Sequence, residues 1–491
     1  MASASTVKPA LHIEVRLKSV GGAFVRTDLV REEVLEWLSK TFIHLKIDSE
    51  LKNYDALPHA YLIESINVVD FGGSEGATSY HRLNDVQLDV QAYELREEGE
   101  GASAVRTHEG DDDDALLHVR VTPLPSKSLN GVWESLVFDG TIPSRLLRFI
   151  TRMMSLMKIE SLDTTIINWN RVILLYGPPG SGKTTLAKAL AQKLAIRLGK
   201  HFTEGKLVEI NAHSVLSKWF GESSKLVGKM FDSIHTMADE ETTLVCVLID
   251  EVETLASSRE KAASGNECGD AIRATNQVLT ALDRLRHRPN VLVLCTSNLI
   301  TTIVSSSSCH PKAPLHELPR QDPAFLDRVD VKQHIPNPCS AAAYDILRSS
   351  LNELIRCNIL IPSPDPDDDV EKPDLDVVQL VGETLSSRSD DWILMDSDSI
   401  PTLLYMNVCL WDRAHCPARK LWNISQRCEG LSGRALRRLP FLALALHTHS
   451  DPCTVHEALA ALAVAVDEET GRIDMKVESN EQKDVLGRHF A

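Results

Sequence analysis

Val172-Ile173-Leu174-Leu175-Tyr176 runs directly into Gly177-Pro178-Pro179-Gly180-Ser181-Gly182-Lys183-Thr184, and Thr185 leads on into a helix-like stretch, Leu186 to Leu198. An apolar strand, a glycine-rich turn and a helix in immediate succession form a phosphate-binding loop. The glycines let the backbone curl with its N–H groups inward, Lys183 reaches the β- and γ-phosphates, and the Thr184 hydroxyl is a ligand for Mg²⁺. Gly177 through Thr185 are the expected nucleotide-binding residues. A strand and helix on either side of a parallel sheet is the fold this arrangement implies.

A second apolar run, Leu244-Val245-Cys246-Val247-Leu248-Ile249, ends in Asp250-Glu251. Carboxylates at the C-terminal end of a buried parallel strand lie where a doubly wound sheet carries out its nucleotide chemistry. Asp250 is expected to hold Mg²⁺, directly or through water, and Glu251 to orient and deprotonate the attacking water. A third run, Val291-Leu292-Val293-Leu294-Cys295, ends in Thr296-Ser297-Asn298. An amide at that strand tip can fix the water or the γ-phosphate, so Asn298 is the expected sensor. ATP hydrolysis is the favoured chemistry.

A chain of 491 residues suggests two or three domains, and 43% hydrophobic with 25% charged residues is a globular composition. The formal charge of -17 disfavours a nucleic-acid backbone as partner, since phosphate contacts need positive potential. No direct sequence-specific nucleic-acid binding is expected. Ten cysteines occur without CxxC pairs, several of them in apolar runs, which reads as a reducing compartment. Met1 to Ala10 lacks the apolar core of a signal peptide, and no stretch reaches the ~18 apolar residues of a membrane span. Nucleus and cytoplasm are the expected locations.

Organisation follows from periodicity. Residues 11–18 alternate as a strand, Asp28 fits the N-cap of a helix carrying Val30, Val34, Trp37 and Leu38, and 63–71 and 86–95 read as further strands. The acidic stretch 96–114 reads as a solvated loop, and a strand resumes at Leu116. Pro123 and Pro125 mark a boundary. The expected plan is an α+β domain over 1–124, a parallel α/β domain over 125–337 with an insertion at 304–320, and a helical domain over 338–491. Helices are expected over 341–357, from Ser432, and over 455–466, with insertions around 362–376 and 386–420. Cys309, His310 and His316 lack the regular spacing of a zinc site. The 304–320 segment is either a surface loop or retained non-coding sequence.

The three strand-end motifs, in this order, resemble an AAA+ ATPase module with a helical lid. Further stretches narrow the resemblance to the pachytene checkpoint protein 2 family, also called thyroid hormone receptor interactor. They are Asn168-Trp169-Asn170-Arg171-Val172, Ser217-Lys218-Trp219-Phe220-Gly221-Glu222-Ser223, Leu248 to Leu255, Asp270-Ala271-Ile272-Arg273, Ala324 to Gln333, and Gly430 to Leu442. The resemblance implies a homohexameric ring with ATP and Mg²⁺ at subunit interfaces. It assigns Trp219 and Phe220 to a pore loop that grips an extended chain, residues 266–271 to a second pore loop, Arg328 to an arginine finger and Arg434 to a second sensor on the lid, with Ser432 capping that helix. The 304–320 insertion, absent from relatives, bears on how Arg328 is presented.

What the family does is remodel HORMA-domain proteins, held by an adaptor, in meiotic recombination, chromosome synapsis and the spindle checkpoint. Two other readings stay open: a general AAA+ unfoldase or disassembly ATPase, and an ATP-binding scaffold whose insertions have impaired catalysis. A fused zinc protease of the His-Glu-x-x-His type is excluded because that motif is missing.

Overall fold

The computed structural model describes residues 8–19, 26–73, 80–97, 119–157, 159, 166–167, 169–212, 223–254, 269–298, 323–361, 399–410 and 416–487. The acidic loop beyond residue 97, Trp219 and Phe220, and the 304–320 and 362–376 insertions lie outside them.

Alternation builds the first sheet. In β1 (Ala10–Leu17), Leu11, Ile13, Val15 and Leu17 are buried. After it come α1 (Thr27–Thr41), β2 (His44–Lys46), β3 (Ser49–Leu51), β4 (Ile63–Phe71), β5 (Tyr80–Arg82) and β6 (Gln87–Glu94). The main sheet has the order β3-β4-β1-β6, with β1 antiparallel to β4 and parallel to β6. Val30, Val34 and Leu38 form the stripe of α1 that joins the strand residues in one core. The start of α1 differs from expectation. Arg26 occupies the N-cap position without a side-chain cap, and Asp28 lies inside the first turn, 2.6 Å from Arg26, where its charge complements the helix dipole.

The second sheet is built by β7 (Val119–Leu124), α2 (Val132–Ser135), α3 (Ile142–Leu156), β8 (Val172–Tyr176), α4 (Lys183–Arg197), β9 (Glu204–Asn211), α5 (Ser223–Ala238), β10 (Thr243–Asp250), α6 (Gly269–Leu285), β11 (Val291–Ser297), α7 (Pro323–Asp327) and β12 (Val331–His334). Its order is β12-β8-β11-β10-β9-β7. The first five strands are parallel. Strands β8, β10 and β11 read as unbroken apolar runs because helices cover both faces: Phe231, Ile234, Val278 and Leu282 of α5 and α6 share one core with them, and α4 lies against the sheet as well. Strand β7 pairs antiparallel with β9. The strand read as resuming the N-terminal domain thus joins the parallel sheet, and Pro123 sits on an edge strand, where a missing N–H is tolerated.

Helix α4 is buried on nearly every side, Lys193 and Arg197 included. Its C-terminal half faces the first sheet. Lys193 Nζ lies 2.9 Å from Glu14 of β1 and 3.0 Å from Glu134 of α2, Arg197 lies 3.1 Å from Asp70 of β4, and Lys200, just past the helix, pairs with Asp89 of β6. Burial alone would lower the Lys193 ammonium, but the charges of Glu14 and Glu134 raise it. Asp89 shows the mirror case: burial pushes it up, and hydrogen bonds from His12 and Lys200 hold it well below the usual carboxylate range.

A helical assembly follows: α8 (Ser340–Arg356), β13 (Leu360–Ile361), α9 (Leu403–Cys409), α10 (Pro417–Gln426), α11 (Gly433–His447), β14 (Cys453–Thr454) and α12 (Val455–Gly487). Leu347, Leu421, Leu436, Leu439, Leu459 and Leu462 form its core. Helix α12 continues far past the expected end at 466. The expected 386–420 insertion holds, in its described part, α9 and the start of α10, with Met406 and Ala418 fully buried in that core. The chain divides into two compact units, Met1–Leu136 with Thr141–Pro178 and Lys183–Ile335, and Val137–Gly140 with Pro179–Gly182 and Pro336–Ala491.

Candidate nucleotide site

The turn after β8 depends on glycine at two positions. Gly177 has φ 155°, and a Cβ there would lie 2.0 Å from the Ile335 carbonyl oxygen. Gly180 has φ 76°, and a Cβ would meet the Ser432 hydroxyl at 2.8 Å. Any side chain would push the backbone off these surfaces. Lys183, 5% exposed, donates from Nζ to the Gly177 carbonyl at 3.0 Å and the Pro178 carbonyl at 2.7 Å, so its ammonium is drawn across the loop. Ser181 Oγ is buried and has no hydrogen-bond partner among the described residues. A buried hydroxyl without a partner, two residues ahead of Lys183 in the chain, is a donor that fits a phosphate.

Asp250 ends β10 beside that helix, and the Thr184 hydroxyl donates to its Oδ1 at 2.9 Å. A hydroxyl and a carboxylate so close offer the hard oxygen donors that Mg²⁺ takes, so these residues fit the ion. Glu251 follows with φ 60°, a left-handed conformation uncommon for a residue with a Cβ. Its N–H donates to Thr296 Oγ1 at 3.2 Å, and its carbonyl accepts from Thr254 N–H at 3.1 Å and the Thr254 hydroxyl at 2.9 Å. On the neighbouring strand tip, Asn298 donates from Nδ2 to Glu253 Oε1 at 2.9 Å and from its backbone N–H to the same oxygen at 3.2 Å. Glu253 was missed by sequence reasoning. The only signal for it was a third acid in Asp250-Glu251-Val252-Glu253, which could equally be a solvated surface residue.

The two predicted arginines are placed differently. Arg434 donates its backbone N–H to the Gly180 carbonyl at 3.2 Å, and Ser432 caps α11 by accepting from Ala435 N–H at 3.3 Å. The second-sensor candidate therefore begins its helix against the phosphate-binding turn. Arg328 is held on its own chain: Nε and Nη2 reach the two carboxylate oxygens of Asp283 at 2.8 and 2.7 Å, and Nη1 donates to the Ala324 carbonyl at 2.7 Å. Asp283 is 48% exposed, so this pair is worth no more than about 1 kcal/mol.

At the other end of β8 from the site, the Asn170-Arg171 stretch proves structural. Arg171, 4% exposed at φ 60°, donates to the carbonyls of Val291, Leu285 and Arg286, and burial lowers its guanidinium to about 10. It clamps the strands that carry the site. Among the described residues no cluster of three metal-ligating side chains occurs, and no helix is long and apolar enough to cross a membrane.

Residues 173–308 match the model of the ATPase family associated with various cellular activities (AAA), residues 6–98 the TRIP13 N-terminal domain, and residues 402–470 the TRIP13-like AAA+ ATPase lid C-terminal domain. The chain is 36% identical to the pachytene checkpoint protein 2 homolog of Xenopus tropicalis over 94% of its own length and 93% of the relative's. It is likewise 36% identical to the Danio rerio homolog, over 96% of each chain. Its fold is similar to the solved structure of C. elegans PCH-2, with a TM-score of 0.63 and 28% identity, covering 94% of this chain and 99% of that one.

Proposed function

We propose that this chain, which belongs to the pachytene checkpoint protein 2 family of AAA ATPases, hydrolyses ATP with Mg²⁺ and uses the cycle to reset HORMA-domain proteins. The observation that carries the hydrolytic part is the convergence of the Thr184 and Thr296 hydroxyls on Asp250 Oδ1, next to Glu251, whose N–H donates to Thr296. It joins the phosphate-binding helix to two adjacent strand tips.

In this reading Lys183 binds the β- and γ-phosphate oxygens, and Thr184 with Asp250 holds Mg²⁺. The bound ion supplies charge neutralisation at the phosphates. Glu251 takes the proton of the attacking water, and Asn298, steadied by Glu253, orients the water or the γ-phosphate. Arg434 acts as the second sensor, and Arg328 as the finger that enters a neighbouring subunit once it leaves Asp283. The family resemblance supports a homohexamer, a pore grip by Trp219 and Phe220, an adaptor held by the N-terminal domain, and work in meiotic recombination and checkpoint control in nucleus and cytoplasm.

Glu251→Gln tests both halves of the reading. Turnover should fall about 1,000-fold, the middle of the range for a general base, while ATP stays bound, and pull-down with this variant in ATP should recover a HORMA-domain protein. Undiminished turnover would overturn the base. A trap that holds ATP but enriches no HORMA-domain protein would overturn the client.

A further inference from the structure

Glu251 poses a physical problem that its own strand does not solve. A residue with a Cβ at φ 60° is disfavoured relative to the ordinary basins, and strain of this kind persists only where the surroundings over-determine it. The contacts of Thr296, on the adjacent strand β11, do so. Its hydroxyl hydrogen is directed to Asp250 Oδ1, a lone pair of the same oxygen receives the Glu251 N–H at 3.2 Å, and its carbonyl receives the Val252 N–H at 3.0 Å. A hydroxyl offers one donor and two accepting lone pairs, and here the donor and one lone pair are both spent on this turn. Three consecutive residues around the turn are thereby tied to a single residue that is 2% exposed.

We propose that Thr296 is a positioning residue for ATP hydrolysis: its buried hydroxyl locks the left-handed turn that presents Glu251 and orients the Asp250 carboxylate, whose Oδ1 also receives the Thr184 hydroxyl. Thr296 touches no reacting atom in this scheme. It acts by joining the carboxylate that faces the ion to the backbone of the base, so that the two cannot drift independently. The proposal rests on the reading of Glu251 as the base. A side chain that merely filled the space between β10 and β11 could be replaced by one of the same shape without consequence. A hydroxyl that couples two site residues could not.

The test compares Thr296→Val, which keeps the shape and removes the hydroxyl, with Thr296→Ser, which keeps the hydroxyl, in wild-type and Glu251→Gln backgrounds. Misplacement of a catalytic group by about 1 Å costs on the order of 100-fold, so Thr296→Val should lower kcat about 10- to 100-fold. KM and the Kd of a fluorescent ATP analogue should stay within about 3-fold, and Thr296→Ser should keep kcat within about 3-fold of wild type. In single-turnover assays Thr296→Val should add little to the loss already caused by Glu251→Gln, because groups acting as a unit are not additive. Thr296→Ala provides the same comparison if valine does not fold. Wild-type kcat in Thr296→Val or Thr296→Ala, or an equal loss in both backgrounds, would overturn the positioning role alone. Full turnover by Glu251→Gln would overturn the base itself, and this role with it.

Discussion

The two ends of helix α4 carry the same kind of side chain to opposite purposes. At its N-terminus Lys183 donates to two carbonyls of its own loop, those of Gly177 and Pro178. At its C-terminal end Lys193, Arg197 and Lys200 each meet a carboxylate from a different strand of the first sheet. Both lysines are almost fully buried, at 5% and 6% exposure. The difference teaches where this protein keeps chemistry open and where it closes it. A buried charge paired with carboxylates of distant strands serves the fold, whereas one that donates to the carbonyls of a glycine-rich turn sits where a phosphate fits.

The comparison breaks first at Lys193. Lys193→Met leaves Glu14 buried without its cation, and loss of one member of a buried pair costs about 3–5 kcal/mol. Urea unfolding should show that loss, while nucleotide affinity of the folded protein stays within about 3-fold. The double variant Lys193→Met with Glu14→Leu should recover most of it. A loss under about 1 kcal/mol would mean that the pair does not hold the first sheet to α4.

Lys183→Ala should behave in the opposite way. Removing hydrogen bonds to a charged group costs up to about 3 kcal/mol, or roughly 100-fold in nucleotide affinity, with stability within about 1 kcal/mol of wild type. Equal damage by both lysine variants to stability and affinity alike would erase the distinction between the two ends.

The smallest expected effect is one of pH. Because the Asp89 carboxyl is held below its ordinary range in the folded protein, its contribution is complete above the usual carboxylate pKa of about 4 and fades as pH falls below it. Wild type should therefore exceed Asp89→Asn in stability at mildly acid to neutral pH, and the margin should shrink as pH falls below about 4. Urea titrations of both proteins across that range check the sign. A margin that widened below about pH 4 would contradict it.

Much of the site was legible because its parts are local. The phosphate-binding turn, Asp250-Glu251 and Asn298 each follow an apolar run, and a parallel strand buried on both faces brings whatever ends it to the same edge of the sheet. Ser432 was readable as a cap for the same reason, since capping is settled within four residues. Arg26 in place of Asp28 at the start of α1 shows the limit of that reasoning: the N-cap position falls two residues ahead of the side chain suited to cap the helix, and Asp28 lies in its first turn. Thr296 and Glu253 were invisible, because their partners lie some 45 positions away in sequence. Nothing in a lone threonine or a third acid announces such a partner.

Strand β7 teaches a similar lesson about boundaries. Its residues have strand character in either sheet, and pairing with β9 places them in the second. By itself, then, the amino-acid sequence determined the elements whose energetics are local: apolar strands, glycines that bend where a Cβ would clash, and the side chains that close them. The tertiary structure alone decided which buried cations are paired, where Arg328 rests and what holds Glu251 in a left-handed turn. Those outcomes depend on groups far apart in the chain meeting where water is excluded, and there an unpaired charge or an unmet hydrogen bond is costly enough to select one arrangement.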